Sequence, residues 1–151
     1  MRPVTRYSLV NFGGSNQRAV LARDSRAVTA EVEGVILEAQ FELSDGCVLI
    51  LMTDDSPYDE GLHVYLLEQD DSIEDALEAG AIFGMGSPGI LKIAKTGMDW
   101  VEFEFFLNGS VYRLEVVRQA RLRLRLPMGW RYKKLLSRHR LMVRAVQKGG
   151  N

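Results

Sequence analysis

Residues 35–52 read VILEAQFELSDGCVLILM. Apolar and polar side chains alternate over residues 35–43, which is the pattern of a strand with one buried face. The turn Ser44-Asp45-Gly46 follows, and its glycine supplies the positive φ that a tight hairpin needs. The apolar run 47–52 then returns as a second strand. This stretch predicts a β-hairpin at the centre of the fold.

The same pattern recurs around Asn108-Gly109, the dipeptide most typical of a two-residue hairpin turn. It predicts a second hairpin from strands 99–107 and 111–117. Alternating or continuous apolar runs predict further strands at 62–67, 90–94 and 121–126, with edge strands at 5–12 and 19–22. Many short strands separated by turns predict a mainly β chain, built as an antiparallel sandwich or an open barrel.

Two helices are expected beside the strands. Ser72 is a suitable N-cap for a short helix over 73–79, and Gly80 is a suitable stop. Residues 130–146 place apolar side chains at three-and-four spacing with arginines and lysines opposite, which predicts a basic amphipathic helix. Residues 140–146 also fit a strand, because their valines and methionine do not decide between the two structures.

The predicted hydrophobic core follows from the alternation within the strands. Large apolar side chains on one strand face are expected to pack together, and truncating them should destabilise the fold. The predicted core residues are Leu37, Phe41, Val48, Ile50, Val64, Leu66, Val101, Phe103, Phe105, Leu114 and Val116.

Length and composition indicate a single globular domain over residues 1–151. The chain has a mass of 17.0 kDa and is 46% hydrophobic and 26% charged, which is typical of a folded soluble protein. Neither a membrane-spanning run nor a signal peptide is evident, so we expect a cytoplasmic protein. With the single Cys47 and only two histidines, neither a disulfide scaffold nor a zinc cluster of thiolates and imidazoles is expected.

Charge is strongly segregated along the chain although the net charge is only −1. Residues 1–30 carry five arginines and one aspartate, for +4. Residues 31–115 carry nineteen acidic and three basic residues, for −16, and residues 116–151 carry eleven basic residues and no acidic one. We therefore expect an acidic β body over 31–117 and a basic strand and helix over 118–148 that docks on it. The alternative is an external acidic partner.

An acidic loop at 53–63 is the first candidate for a small-ligand site. Carboxylate oxygens in clusters bind hard cations, but the spacing here is not that of a calcium loop, so no metal is expected. The simpler interpretation is a solvated turn, with His63 as a hydrogen-bonded histidine at the rim of the strand. The candidate ligand-binding residues are Asp54, Asp55, Asp59, Glu60, His63 and Tyr65.

A glycine-rich loop at 84–89 has the spacing of a dinucleotide-binding turn. That chemistry needs a helix directly after the glycines, whereas here Pro88 and an apparent strand follow, so no cofactor is expected. Together with the acidic loop at 53–63 it could form a pocket. That pocket is the basis of an alternative function as a small-ligand-binding or metal-binding protein or an enzyme.

The basic C-terminal segment mixes aromatic rings with cations, as nucleic-acid-binding surfaces do. The simpler interpretation is that its aromatic rings pack on the sheet while its cations stay solvated. An acidic protein, a polyanion or an anionic surface is the alternative partner. The candidate residues are Arg121, Arg123, Arg125, Trp130, Arg131, Tyr132, Lys133, Lys134 and Arg138.

No catalytic motif stands out in the sequence. A nucleophile elbow of the Gly-x-Ser-x-Gly type is missing, and Cys47 lies in an apolar strand where a thiol packs as a small hydrophobe. Without a convergent catalytic set, the expected function is that of a non-enzymatic binding or regulatory module. Such a module could also form a homo-oligomer.

Overall fold

A computed structural model describes residues 1–11, 18–55, 61–80, 88–106, 109–122, 125–135 and 137–146. These residues form thirteen strands and contain no helix, and therefore no helix that could cross a membrane. The strands are β1 (Arg2–Pro3), β2 (Ser8–Asn11), β3 (Arg18–Arg23), β4 (Arg26–Glu33), β5 (Ile36–Glu42), β6 (Val48–Thr53), β7 (Leu62–Leu67), β8 (Ile73–Ala79), β9 (Pro88–Thr96), β10 (Trp100–Phe106), β11 (Val111–Leu122), β12 (Trp130–Tyr132) and β13 (Arg138–Val146).

The strands form three antiparallel sheets. The six-stranded sheet has the order β1-β5-β6-β7-β8-β12, the four-stranded sheet β13-β11-β10-β9, and the three-stranded sheet β2-β3-β4. None of them closes into a barrel within the described residues. Both predicted central hairpins are confirmed as the pairs β5–β6 and β10–β11. The mainly β, antiparallel prediction is thus confirmed.

The six-stranded sheet is the middle layer of the fold. Because successive residues of a strand point to opposite faces, Leu49 and Leu51 pack toward the four-stranded sheet, whereas Val48 and Ile50 pack toward the three-stranded sheet. Every residue of β6 and of β7 is buried for this reason. The uninterrupted apolar run of β6 therefore reflects burial on both faces, which a two-layer sandwich would not require.

The core toward the four-stranded sheet is rich in aromatic rings. Phe103, Tyr112 and Trp130 lie with ring centroids 5.6 to 6.3 Å apart. Phe105 and Phe106 extend the cluster at 5.1 Å. All the predicted core residues are buried except Leu37, which is partly exposed. They divide between two cores, one on each face of the middle sheet.

The helix predicted over residues 73–79 is wrong, because these residues form strand β8. Alanine, leucine and glutamate favour helices intrinsically, but pairing with β7 and burial of Leu77 override that preference. Ser72 does not cap a helix. Its hydroxyl donates to the Asp70 carboxylate within the β7–β8 turn.

The basic helix predicted over residues 130–146 is also wrong. Its residues form the short edge strand β12 and the long strand β13, so the strand alternative for residues 140–146 is confirmed. Leu141 and Val143 are buried two residues apart where β13 pairs with β11, with the less buried Met142 between them. Long-range pairing selects that period of two over the helical spacing seen in the sequence.

Ion pairs join the basic ends of the chain to its acidic middle. From the N-terminal segment, Arg23 contacts Asp71 at 2.7 Å. From the C-terminal segment, Arg140 contacts Asp45 and Glu74 at 2.5 and 2.9 Å. The charge segregation of the sequence thus corresponds to contacts inside the molecule.

Candidate functional site

His63 lies on β7 with its side chain on the face toward the three-stranded sheet, and it is 8% exposed. Asp54 follows β6 directly, and its carboxylate lies 3.1 Å from His63 Nε2. The Gly61 amide donates to the other oxygen of Asp54 at 3.1 Å and fixes the carboxylate. Since a carboxylate only accepts, this contact places the proton of a neutral His63 on Nε2.

The other imidazole nitrogen of His63 faces two glutamates. Nδ1 is 4.0 Å from Glu33 Oε2 and 3.9 Å from Glu78 Oε2, too far for a hydrogen bond in either case. It is buried, and no hydrogen-bond partner lies within reach among the described residues. Antiparallel pairing sets Glu78 directly opposite His63. Glu33 reaches the site at the end of β4, where the positive φ of Gly34 turns the chain.

Lys133, just after β12, places its ammonium between the same two glutamates. Its Nζ donates to Glu78 Oε2 at 2.7 Å and also to Glu33 Oε2. It lies 5.7 Å from the centre of the Tyr65 ring. Burial lowers the pKa of Lys133 to about 8, and Arg18 acts in the same direction. Lys133 is thus a partly buried cation held by carboxylates at this site.

Tyr65 fixes the end of β4 against the middle sheet. Its hydroxyl donates to the Glu33 carbonyl at 3.0 Å and accepts from the Glu33 amide at the same distance. Burial raises the pKa of Tyr65 well above its usual range, so the hydroxyl keeps its proton even at alkaline pH values at which an exposed tyrosine ionises. This pair of hydrogen bonds positions the Glu33 side chain beside His63.

A cavity of about 340 Å³ opens next to this cluster. It lies between the three-stranded sheet and the β7–β8 side of the middle sheet and shares Glu33 and Lys133 with the His63 cluster. Its wall combines cationic, acidic and apolar side chains. The lining residues are Arg18, Glu31, Val32, Glu33, Tyr65, Ile73, Asp75, Ala76, Lys133 and Lys134.

The second histidine, His139, has a different environment. Its Nδ1 lies 2.8 Å from Asp75 Oδ1, and its ring stacks on Tyr132 with centroids 3.5 Å apart. Asp75 also accepts the Arg140 and Leu141 amides, so it ties β13 to β8. His139 Nε2 lies 3.4 Å from the Ser137 hydroxyl. Ser137, His139 and Asp75 are linked in the way that the serine, histidine and aspartate of a hydrolase triad are linked. His139 is only 1% exposed, however, and its contacts hold β8 and β13 together.

A third polar cluster surrounds Cys47 and is filled by Arg140. The guanidinium donates to Glu74 at 2.9 Å and to Cys47 Sγ at 3.5 Å. The thiol lies 3.5 Å from Glu68. Burial raises the pKa of Cys47 to about 12, so the thiolate is not formed at neutral pH. Arg140 is thus the cation that Cys47 and Glu74 contact in this cluster.

The structure brings together three of the residues predicted in the acidic loop at 53–63. Asp54, His63 and Tyr65 belong to the cluster, whereas Asp55 is exposed at the loop entrance. Asp59 and Glu60 lie outside the described residues. Most of the glycine-rich loop does too, apart from residues 88–89 at the start of β9. The pocket predicted between these two loops is therefore not described.

Sequence reasoning missed Glu33 and Glu78 and placed Lys133 in a different role. Glu78 was hidden by the helix prediction, because only strand pairing sets it opposite His63. A usable indication for Glu33 is Gly34, whose added Cβ would lie 2.9 Å from Met52 Cβ and 3.2 Å from His63 Cδ2. Gly34, which follows Glu33 directly, thus allows the end of β4 to approach Met52 on β6 and His63 on β7 closely.

The predicted polyanion-binding residues are dispersed. Trp130 and Tyr132 are buried in the aromatic core, and Arg131 and Lys133 contact acidic side chains of the sheet. Arg121, Arg138, Arg125 and Lys134 are exposed, and Arg123 lies outside the described residues. The two rings expected to stack on bases are therefore packed inside the protein.

No protein-family model, no curated protein and no solved structure matches the chain. A functional interpretation therefore rests on the geometry of the cluster around His63 and of the adjacent cavity.

Proposed function

We propose that this protein is a non-enzymatic binding module for a small anion with an apolar body, and that the cavity beside Lys133 is its binding site. The observation that carries the proposal is the composition of the cavity wall, in which three cationic and three acidic side chains meet an apolar floor and each acidic one already has a partner. Cavities of this kind, with a few polar groups on an apolar lining, are typical small-molecule sites. The volume of about 340 Å³ suits a ligand of modest size.

The charges around the cavity favour an anion. Arg18 and Glu31 are 3.6 Å apart and both about half exposed, so their pairing is weak. Asp75 is 4% exposed, and its carboxylate is occupied by His139 and by backbone amides. Lys134 lines the cavity without an ion pair to any described residue. Lys134 and the weakly paired Arg18 are thus the cations available to an anionic group.

The floor of the cavity favours an apolar body on that anion. Val32, Ile73 and Ala76 line it together with the ring of Tyr65. The Tyr65 hydroxyl is turned to the Glu33 backbone, so the ring presents apolar carbon to the cavity. Burying such a body contributes about 25 cal/mol for each Å² of apolar surface removed from water.

The test uses 1-anilinonaphthalene-8-sulfonate, an aromatic anion whose fluorescence rises in apolar sites. We expect saturable binding of one equivalent, weakened roughly fivefold by Lys134→Gln, which corresponds to loss of a single exposed ion pair. Lys95→Gln is the matched control, because Lys95 is an exposed lysine on β9 and does not line the cavity. Octanoate should displace the probe more effectively than octanol does.

A charged side chain in the apolar floor of the cavity should weaken probe binding more than Lys134→Gln does. Ile73→Glu places a carboxylate where the apolar body lies, and we expect it to abolish probe binding while the melting curve remains cooperative. Probe binding that is the same in the wild type, Lys134→Gln and Ile73→Glu would contradict the proposed site.

A further inference from the structure

We propose that Glu33, His63 and Glu78 form a binding site for a divalent transition-metal ion such as Zn²⁺, a site that goes beyond the anion-binding function. The motivating observation is the orphaned Nδ1 of His63, a buried nitrogen that faces two carboxylates without a hydrogen bond. One ligand atom from each of the three residues lies within 4.8 Å of the other two.

The distances fit an ion between these atoms. A zinc ion lies about 2.0–2.2 Å from imidazole nitrogen and carboxylate oxygen, so two of its ligands are at most about 4.4 Å apart. The distances of 4.0 and 3.9 Å from His63 Nδ1 to Glu33 Oε2 and Glu78 Oε2 fall inside that limit. A movement of about 0.5 Å by each glutamate side chain would bring them to the spacing of about 3.4 Å that a tetrahedral ion requires. The observed distances are too long for hydrogen bonds, so among the described residues the Nδ1 lone pair has no protein partner and faces two carboxylates with which it could share a cation.

The other ring nitrogen of His63, Nε2, makes the kind of hydrogen bond to a carboxylate that orients metal-binding histidines. Asp54 accepts from His63 Nε2 and is itself held by the Gly61 amide. A carboxylate on the far nitrogen of a ligating histidine fixes the ring, directs the lone pair of the other nitrogen and raises its basicity. A Cβ at residue 61 would lie 2.8 Å from Asp54 Oδ2 and 3.1 Å from His63 Nε2, so the backbone must approach closely here.

Lys133 is the competitor for this site. Its ammonium contacts the same two oxygens, Glu33 Oε2 and Glu78 Oε2, that the metal would use. Three carboxylates surround His63, whereas Lys133 and Arg131 are the cations that contact them among the described residues, which leaves an excess of negative charge there. A divalent ion would displace the ammonium and neutralise that excess.

The donor set also selects the kind of metal. Imidazole is a ligand for zinc, copper, nickel and iron, whereas magnesium and calcium prefer sites made only of oxygen. Three protein ligands leave at least one coordination position open to water or to another ligand. The site thus takes its imidazole from the acidic loop at 53–63, whereas its two carboxylate ligands come from β4 and β8.

The experiment titrates the chelator-treated full chain with Co²⁺ and Zn²⁺, using the visible absorption of cobalt and the zinc-induced rise in melting temperature as readouts. We expect one equivalent to bind. Asp54→Asn should weaken binding about 10- to 100-fold, as loss of an outer hydrogen-bond partner does, and Glu78→Gln or Glu33→Gln by at least as much. Magnesium and calcium should not compete.

Two further variants make the test specific. Lys133→Gln removes the competing ammonium, so it should raise metal affinity, a change that general destabilisation would not produce. Asp24→Asn is the matched control, because Asp24 is an exposed acidic residue in the β3–β4 turn, does not line the cavity and is not a ligand. Its metal affinity should equal that of the wild type.

The absence of saturable binding in both the wild type and Lys133→Gln would overturn the proposal, as would binding that survives His63→Gln and Glu78→Gln. Of the three ligand substitutions, Glu33→Gln should disturb the fold least, because the Glu33 side chain is 45% exposed. Binding of the aromatic sulfonate, measured on metal-free protein, tests the cavity separately, so failure of one proposal is distinguishable from failure of the other.

Discussion

One face of the six-stranded sheet packs against the four-stranded sheet, and the other packs against the three-stranded sheet. We call them the aromatic face and the cavity face. On the aromatic face, Phe103, Tyr112 and Trp130 contact one another and are at most 6% exposed. On the cavity face, the buried groups include a histidine, and a cavity of about 340 Å³ remains beside Tyr65.

The proposed function assigns stability to one face of this sheet and binding to the other. The rings of the aromatic face are buried against one another, whereas the cavity face keeps a space of the size of a small ligand. The two histidines follow the same division. His139 is held by Asp75 and stacked on Tyr132, so both of its ring nitrogens have neighbours within 3.4 Å. His63 is held by Asp54 on one side only.

The largest effect is expected on the aromatic face. Phe103 is fully buried, so Phe103→Ala should lower the free energy of unfolding by about 3–5 kcal/mol, measured by urea titration. The cavity variant Ile73→Ala should cost less, because that side chain is only partly buried, and should weaken binding of the aromatic sulfonate. A loss below about 1 kcal/mol for Phe103→Ala would contradict the division between the faces.

The strands of this fold were predictable where the evidence is local. The alternation in residues 35–43 and the Asn108-Gly109 turn predict the β5–β6 and β10–β11 hairpins correctly. The number of layers was not predictable in this way. A continuous apolar run such as β6 indicates burial on both faces, but nothing local shows that the N-terminal strands supply the third layer.

The next prediction compares the carboxylates that hold the two histidines. Asp75→Asn should cost about 3 kcal/mol, because an amide nitrogen would replace an acceptor of charge-assisted hydrogen bonds from buried donors. Asp54→Asn should cost about 1 kcal/mol, because Asp54 is partly exposed and accepts from fewer donors, the Gly61 amide and His63 Nε2. Urea titration of both variants measures the difference. Equal losses of unfolding free energy in the two variants would mean that the contacts of His63 stabilise the fold as much as those of His139 do.

The cavity face also predicts a dependence on alkaline pH. Tyr7 donates to Asp71 at 2.6 Å, and burial together with that aspartate raises the pKa of Tyr7 to about 12. Between about pH 10 and about pH 12 the unfolded tyrosine loses its proton while the native one keeps it. The unfolded state then binds fewer protons, so the stability contributed by Tyr7 falls as pH rises through this window.

Tyr7→Phe isolates this contribution. At neutral pH the variant should be less stable by about 1.5 to 3 kcal/mol, the value of a hydrogen bond to a charged group. The difference from the wild type should shrink as pH rises above about 10. Urea titrations across that range measure it. A difference that stays constant with pH would show that the Tyr7 hydroxyl titrates normally.

Only part of the candidate site was predictable from the sequence, for a physical reason. Asp54, His63 and Tyr65 lie close together along the chain, so local spacing identifies them. Glu33 and Glu78 reach His63 only through sheet pairing and the turn at Gly34. A helix over residues 73–79 would not pair with β7, so the helix prediction does not place Glu78 beside His63.

The smallest effect is expected outside both faces, where Arg121 and Arg138 lie exposed on β11 and β13. The double variant Arg121→Gln and Arg138→Gln should change the free energy of unfolding by less than about 0.5 kcal/mol, because exposed substitutions rarely do more.

The same double variant also tests the alternative of a polyanion partner. We expect no binding of a single-stranded oligonucleotide by the wild type at physiological salt, since Trp130 and Tyr132 are buried and unable to stack on bases. Steeply salt-dependent binding that the double variant loses would instead assign the exposed arginines to a nucleic-acid surface and separate binding from the cavity face.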